Sequence, residues 1–109
     1  MDDQTAFILM GSPSPHAHRE ELPGHELVRQ GVADLETGRV SVEALLLSRF
    51  AERLRAVGVV LPGGPLADPE RRMYELLDAQ YGPGAHGVYN AMTRRLLSYL
   101  RAAAGPRAS

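Results

Sequence analysis

Apolar residues recur at helical spacing in four stretches of this chain, and Gly or Pro separates each stretch from the next. Leu27, Val28, Gly31, Val32 and Leu35 form the first stripe, with Gly38 where a C-terminal cap is expected. A helix over roughly 24–37 follows. Ser41 then offers a hydroxyl as N-cap to a second helix, in which Leu46, Phe50, Leu54 and Val57 line one side, Leu47 widens it, and Gly58 ends it. Its other side carries Arg49, Glu52, Arg53 and Arg55.

The segment VVLPGGPLADP reads as a loop from its Pro and Gly content. Asp68 and Pro69 supply an N-cap and a first-turn Pro for a third helix, with Glu70 favourably placed in its first turn. Met73, Leu76, Leu77 and either Gln80 or Tyr81 form its stripe, and Gly82, Pro83 and Gly84 end it. The fourth helix is expected from Ala85 to Ala104. At about 100° per residue, Ala85, Val88, Tyr89, Met92, Leu96 and Leu100 share one broad face with Tyr99 and Ala103, while Asn90, Arg94 and Arg101 lie opposite. His86, Thr93 and Leu97 fall on the border.

These stretches predict an all-α fold: a small compact bundle of about four helices with an irregular N-terminal arm. A chain of 109 residues fits one such domain. Residues 24–104 make up the domain, 1–23 the arm and 105–109 a short tail. The arm contains GSPSPHAHREELPG, whose composition cannot sustain a helix, and AFILM, which could add a short strand or an apolar patch. Gly31 and Gly87 stand inside helices, where Gly costs roughly 1 kcal/mol relative to Ala, so each is read as marking a close helix crossing.

Composition removes several chemistries. The chain has no Cys, which excludes disulfides, thiolate metal sites and a Cys nucleophile. All 12 cationic side chains are Arg, which excludes Schiff-base chemistry and a P-loop lysine. The bias toward Arg, Ala, Gly and Leu fits a GC-rich, bacterial-type genome. The acidic start MDDQ lacks the positive charge of a secretory signal, and no segment reaches the roughly 20 apolar residues of a membrane span. A cytoplasmic protein is the expectation.

The net charge of −1 hides an asymmetry. All 13 acids lie within residues 1–83 beside eight Arg, whereas the last 26 residues hold Arg94, Arg95, Arg101 and Arg107 and no acid. Such an Arg-bearing helix can dock on the acidic part of its own chain, on a second copy, or on an outside anion such as nucleic acid. Four Arg in a slightly acidic chain make a thin footprint for DNA or RNA, and no helix-turn-helix signal accompanies them.

Chemistry concentrates in AHGVYNAMTRR, where His86, Tyr89, Asn90, Arg94 and Arg95 follow one another at short spacing, with Arg101 two turns on. A His can act as general base, and Asn and Arg can hold an anionic group. No nucleophile stands in a defined motif, so these six residues are candidates for binding and none is assigned as catalytic. His16, His18 and His25 beside Glu20 and Glu21 are metal-binding types, but His-x-His in a Pro-rich arm matches no defined zinc spacing, and no metal or cofactor is expected. The four Tyr, all on or beside apolar stripes, are read as core or interface residues.

The expected function is a non-catalytic protein-interaction or regulatory module that self-associates. Leu45, Ala56, Ala91 and Ala102 fall away from the main apolar faces and suggest a second apolar contact. A homodimer is the commonest closed assembly. The wheel for the last helix is tested directly: Leu96→Ala is expected to destabilise by about 2–5 kcal/mol and Arg94→Ala by less than about 0.5 kcal/mol in denaturant titrations.

Overall fold

The computed structural model describes residues 22–105, and these form helices without a strand. The AFILM segment and His16, His18, Glu20 and Glu21 lie outside the described residues. In chain order the α-helices are α1 (His25–Glu36), α2 (Val42–Arg49), α3 (Ala51–Ala56), α4 (Pro69–Tyr81) and α5 (Ala85–Ala104), with a 3₁₀ turn at Gly82–Gly84. α2 and α3 are one helix interrupted at Phe50, so the described residues form four helical bodies. α1 packs on α2, α2 on α4, α4 on α5, and α5 back on α1, which closes the bundle.

The helix ends follow from local chemistry. At the end of α1 the Arg39 amide donates to the Asp34 carbonyl at 2.8 Å and the Gly38 amide to the Leu35 carbonyl at 3.2 Å, with Gly38 at φ 76. That pair of bonds is a Schellman cap, which needs a left-handed residue at the Gly position. α3 ends the same way, with Val59 on the Leu54 carbonyl, Gly58 on that of Arg55, and Gly58 at φ 93. Ser41 caps α2 as expected, its Oγ accepting from the Ala44 amide at 3.0 Å. Asp68 precedes α4, but its carboxylate does not cap: the residue is left-handed (φ 49) and its side chain pairs with Arg71 at 3.0 Å.

The second helix was expected to run unbroken to Gly58. It breaks because Ser48, one turn after Ala44, turns its hydroxyl back onto the Ala44 carbonyl at 2.8 Å and accepts the Leu66 amide at 2.9 Å. Back-bonding of this kind bends a helix, and here it also ties the loop before α4 to the middle of α2. Phe50 then donates to Leu47 rather than to Leu46.

Every residue from Ala44 to Ser48 is buried. The expectation that Leu45 is exposed is therefore wrong: α2 is flanked by α1 on one side and α4 on another, leaving no solvent face for it. α5 matches its expected wheel, with Ala85, Tyr89, Leu96, Tyr99 and Leu100 buried and Val88, Met92 and Ala103 packed against them. The stripe of α4 is only half right. Met73 and Leu77 are buried, whereas Leu76 is 38% and Tyr81 48% exposed.

The two helical glycines differ. A Cβ on Gly31 would sit 2.5 Å from Leu47 Cδ1 and 3.0 Å from the Glu43 carbonyl oxygen, so α1 and α2 do cross at that point. Gly87 has nothing within 4 Å of such an atom, which overturns the expected crossing there. A crossing the sequence did not indicate lies at Gly24, where a Cβ would meet the Arg95 carbonyl oxygen at 2.5 Å. In thermal or denaturant unfolding, Gly31→Ala is expected to cost about 1–3 kcal/mol through overpacking. Gly87→Ala should stabilise by about 0.5–1 kcal/mol, because Ala loses less backbone entropy in an open helix position.

Candidate functional site

Two pairs of residues on facing helices build the main polar cluster. Glu70 and Tyr74 lie four apart on α4, and His86 and Tyr89 three apart on α5, so each pair shares a helix face. Packing α4 on α5 brings them together: the rings of Tyr74 and Tyr89 stack at 4.4 Å between centroids and 24° between planes. The ring of His86 stacks beyond Tyr74 at 6.1 Å, and a 2.8 Å hydrogen bond joins the Tyr74 hydroxyl to His86 Nδ1.

The other end of the cluster reaches α2. Arg49 Nη1 donates to the Tyr89 hydroxyl, which donates in turn to Glu70 Oε2 at 3.2 Å. Arg49 also lies 4.0 Å from Glu70 Oε1, and its guanidinium sits over the rings of Phe50 and Tyr89 at 5.0 and 5.4 Å. The chain of contacts from Arg49 to His86 thus spans α2, α4 and α5. Burial pushes the Tyr89 hydroxyl above its ordinary range; Arg49 opposes the shift, and Glu70 adds to it. At neutral pH Tyr89 is a neutral phenol, as its donation to Glu70 requires.

The six residues expected to bind do not form one site. His86 and Tyr89 join the cluster through Tyr74, which the sequence did not single out. Asn90 is half-buried, and Arg94 and Arg101 are exposed. Arg95 crosses to α1 and pairs with Glu26 in its first turn. Of the three partners open to the Arg-bearing helix, its own chain takes Arg95. Among the described residues no group of three or more His, Asp or Glu is placed to hold a metal ion.

A cleft of about 570 Å³ beside the cluster is lined by Ser48, Arg49, Asp68, Pro69, Glu70 and Arg71. Its charges engage one another. Arg71 bonds Asp68 at 3.0 Å and Glu75 at 2.7 Å, and these acids raise its pKa further, while Arg49 is held by Tyr89 and Glu70. A groove of about 480 Å³ on another face has a different character. The start of α2 and the residues before it, including Arg39, Val42 and Glu43, form one wall, and Leu76 and Tyr81 of α4 the other, with Met92 of α5 also in the lining. Val40, 44% exposed, stands next to it in sequence.

No known protein family matches the chain, and no curated protein or solved structure shows significant similarity to it.

Titration of the tyrosines by ultraviolet absorbance tests the cluster. The Tyr89→Phe difference should reveal a phenol ionising above pH 10, the ordinary value. Glu70→Gln should move that component down and Arg49→Met should move it up. Because the unfolded phenol ionises first, stability conferred by neutral Tyr89 is intact below about pH 10 and declines as pH rises toward the folded value. This alkaline decline should be smaller in Tyr89→Phe.

Proposed function

We propose that the protein is a cytoplasmic, non-catalytic interaction module that works as a self-associated pair. The observation that carries this reading is the exposure of Leu76 and Tyr81 on α4, the helix whose Met73 and Leu77 fill the core. Large apolar side chains lining a groove between two helices leave apolar area in water that a partner can cover. Val60 is more exposed, at 74%, but it stands on the loop between α3 and α4 rather than on a helix face. No helix among the described residues is long and apolar enough to cross a membrane, so a bilayer-spanning role for the exposed set has no support.

The alternatives have less behind them. For catalysis, His86 would serve as base through Nε2, its Nδ1 being bonded to Tyr74, yet its ring is exposed on the helix surface. The neighbouring cleft is lined by the Arg49 end of the cluster and lacks His86, Asn90 and Arg94. For nucleic acid, pairing of Arg95 with Glu26 leaves Arg94 and Arg101 as the described Arg of α5 without an ion pair, a thin footprint for a phosphate backbone.

Light scattering behind a sizing column, run at low and high salt and with nucleic acid removed and then restored, tests the reading. A dimer that persists in high salt and ignores nucleic acid is expected. A monomer at tens of micromolar, or a species that grows only with nucleic acid and only at low salt, would overturn it.

A further inference from the structure

Building on self-association, we infer that the partner is a second copy of this chain seated two-fold on the groove between the start of α2 and the end of α4. The α4 wall holds Leu76 and Tyr81, both exposed, and Val42 and Met92 also line the groove between the walls. Apolar wall and groove therefore share one face, and an isologous contact sets that face against its own copy, covering the apolar area of both.

Charge selects the same partner. The α2 wall carries Arg39 and Glu43, of opposite sign and four residues apart, and neither forms an ion pair with another described residue. A two-fold axis between facing α2 walls sets Arg39 of each copy against Glu43 of the other, giving two equivalent pairs. Nucleic acid would be repelled by Glu43, and an acidic or basic peptide would satisfy one charge while opposing the other. A copy of the same surface satisfies both, and the net charge of −1 adds little long-range repulsion between copies. Pairs at such a rim contribute little attraction when exposed, but like charges placed opposite each other discriminate strongly.

That asymmetry makes the pairing testable with charge reversals in the full chain. Arg39→Glu alone sets Glu against Glu in both pairs, and Glu43→Arg alone sets Arg against Arg. Each single variant should dimerise at least about tenfold more weakly than the wild type by sedimentation or light scattering. An equimolar mixture of the two should restore the dimer, since every facing pair in the mixed species is again Arg with Glu. Tyr81→Glu, at an exposed site, should also weaken the dimer and serves if Glu43→Arg, which removes an acid from the first turn of α2, melts below the assay temperature. Circular dichroism establishes that each variant is folded. Singles that dimerise like the wild type, a mixture that stays monomeric, or a Tyr81→Glu variant with unchanged dimerisation would overturn this face while leaving self-association intact. A monomeric wild type would overturn both.

Discussion

Five consecutive buried residues, Ala44 to Ser48, set the terms for the rest of this fold. A helix presents five consecutive residues on all sides of its axis, so burying them all requires neighbours all round. An 8-residue helix cannot bury such a set alone, and a chain of this size has only a few helices to spend on it. α1 lies against one side, close enough that Gly31 leaves no room for a Cβ before Leu47. α4 lies against another side, and the loop after α3 contributes Leu61 and Leu66 to the same core. α5 then closes the ring by packing on α4 and on α1, where Gly24 abuts the backbone at Arg95.

A helix this enclosed brings polar groups inside with it, and each must find a partner because an unpaired buried polar group costs about 1–3 kcal/mol. Ser48 meets this condition by bonding the Ala44 carbonyl and the Leu66 amide, and the price is the break at Phe50. Asp34 meets it at the junction of α1 and α2. Its carboxylate accepts from Gln30 at 2.9 Å and from Ser41 Oγ at 2.6 Å, while Ser41 Oγ accepts from the Ala44 amide. One hydroxyl therefore caps α2 and links it to the end of α1. The Asp34 carbonyl takes the Arg39 amide, so this residue also fixes the turn between the two helices.

Periodicity made legible whatever depends on a single helix having one wet and one dry side. α5 is the clearest case: Leu96 and Tyr99 are buried and Arg94 and Arg101 exposed, as their angular positions require. It failed where burial depends on neighbours. Leu45 lies off the main stripe of its helix yet is fully buried, because enclosure replaces amphipathicity in α2. Leu76 and Tyr81 lie on the stripe of α4 yet remain exposed, because burial on α4 is confined to the narrower line through Met73 and Leu77. The polar cluster was half legible for a related reason. His86 and Tyr89 share a helix, but Arg49 and Glu70 meet them only through packing between helices, and no spacing along the chain encodes that.

The same distinction separates the cluster from the groove as places where a partner can act. In the Arg49 to His86 chain the strong donors and acceptors already engage one another: guanidinium on phenol, phenol on carboxylate, phenol on imidazole. A ligand there would have to replace bonds that exist, and the gain would be the small difference between two similar sets of interactions. At the groove Leu76 and Tyr81 leave apolar area in water beside the charges of Arg39 and Glu43. Covering Leu76 and Tyr81 would remove apolar area from water without breaking an internal bond. The cluster, with Tyr89 buried and neutral at its centre, joins α2, α4 and α5, the three helices that line that groove.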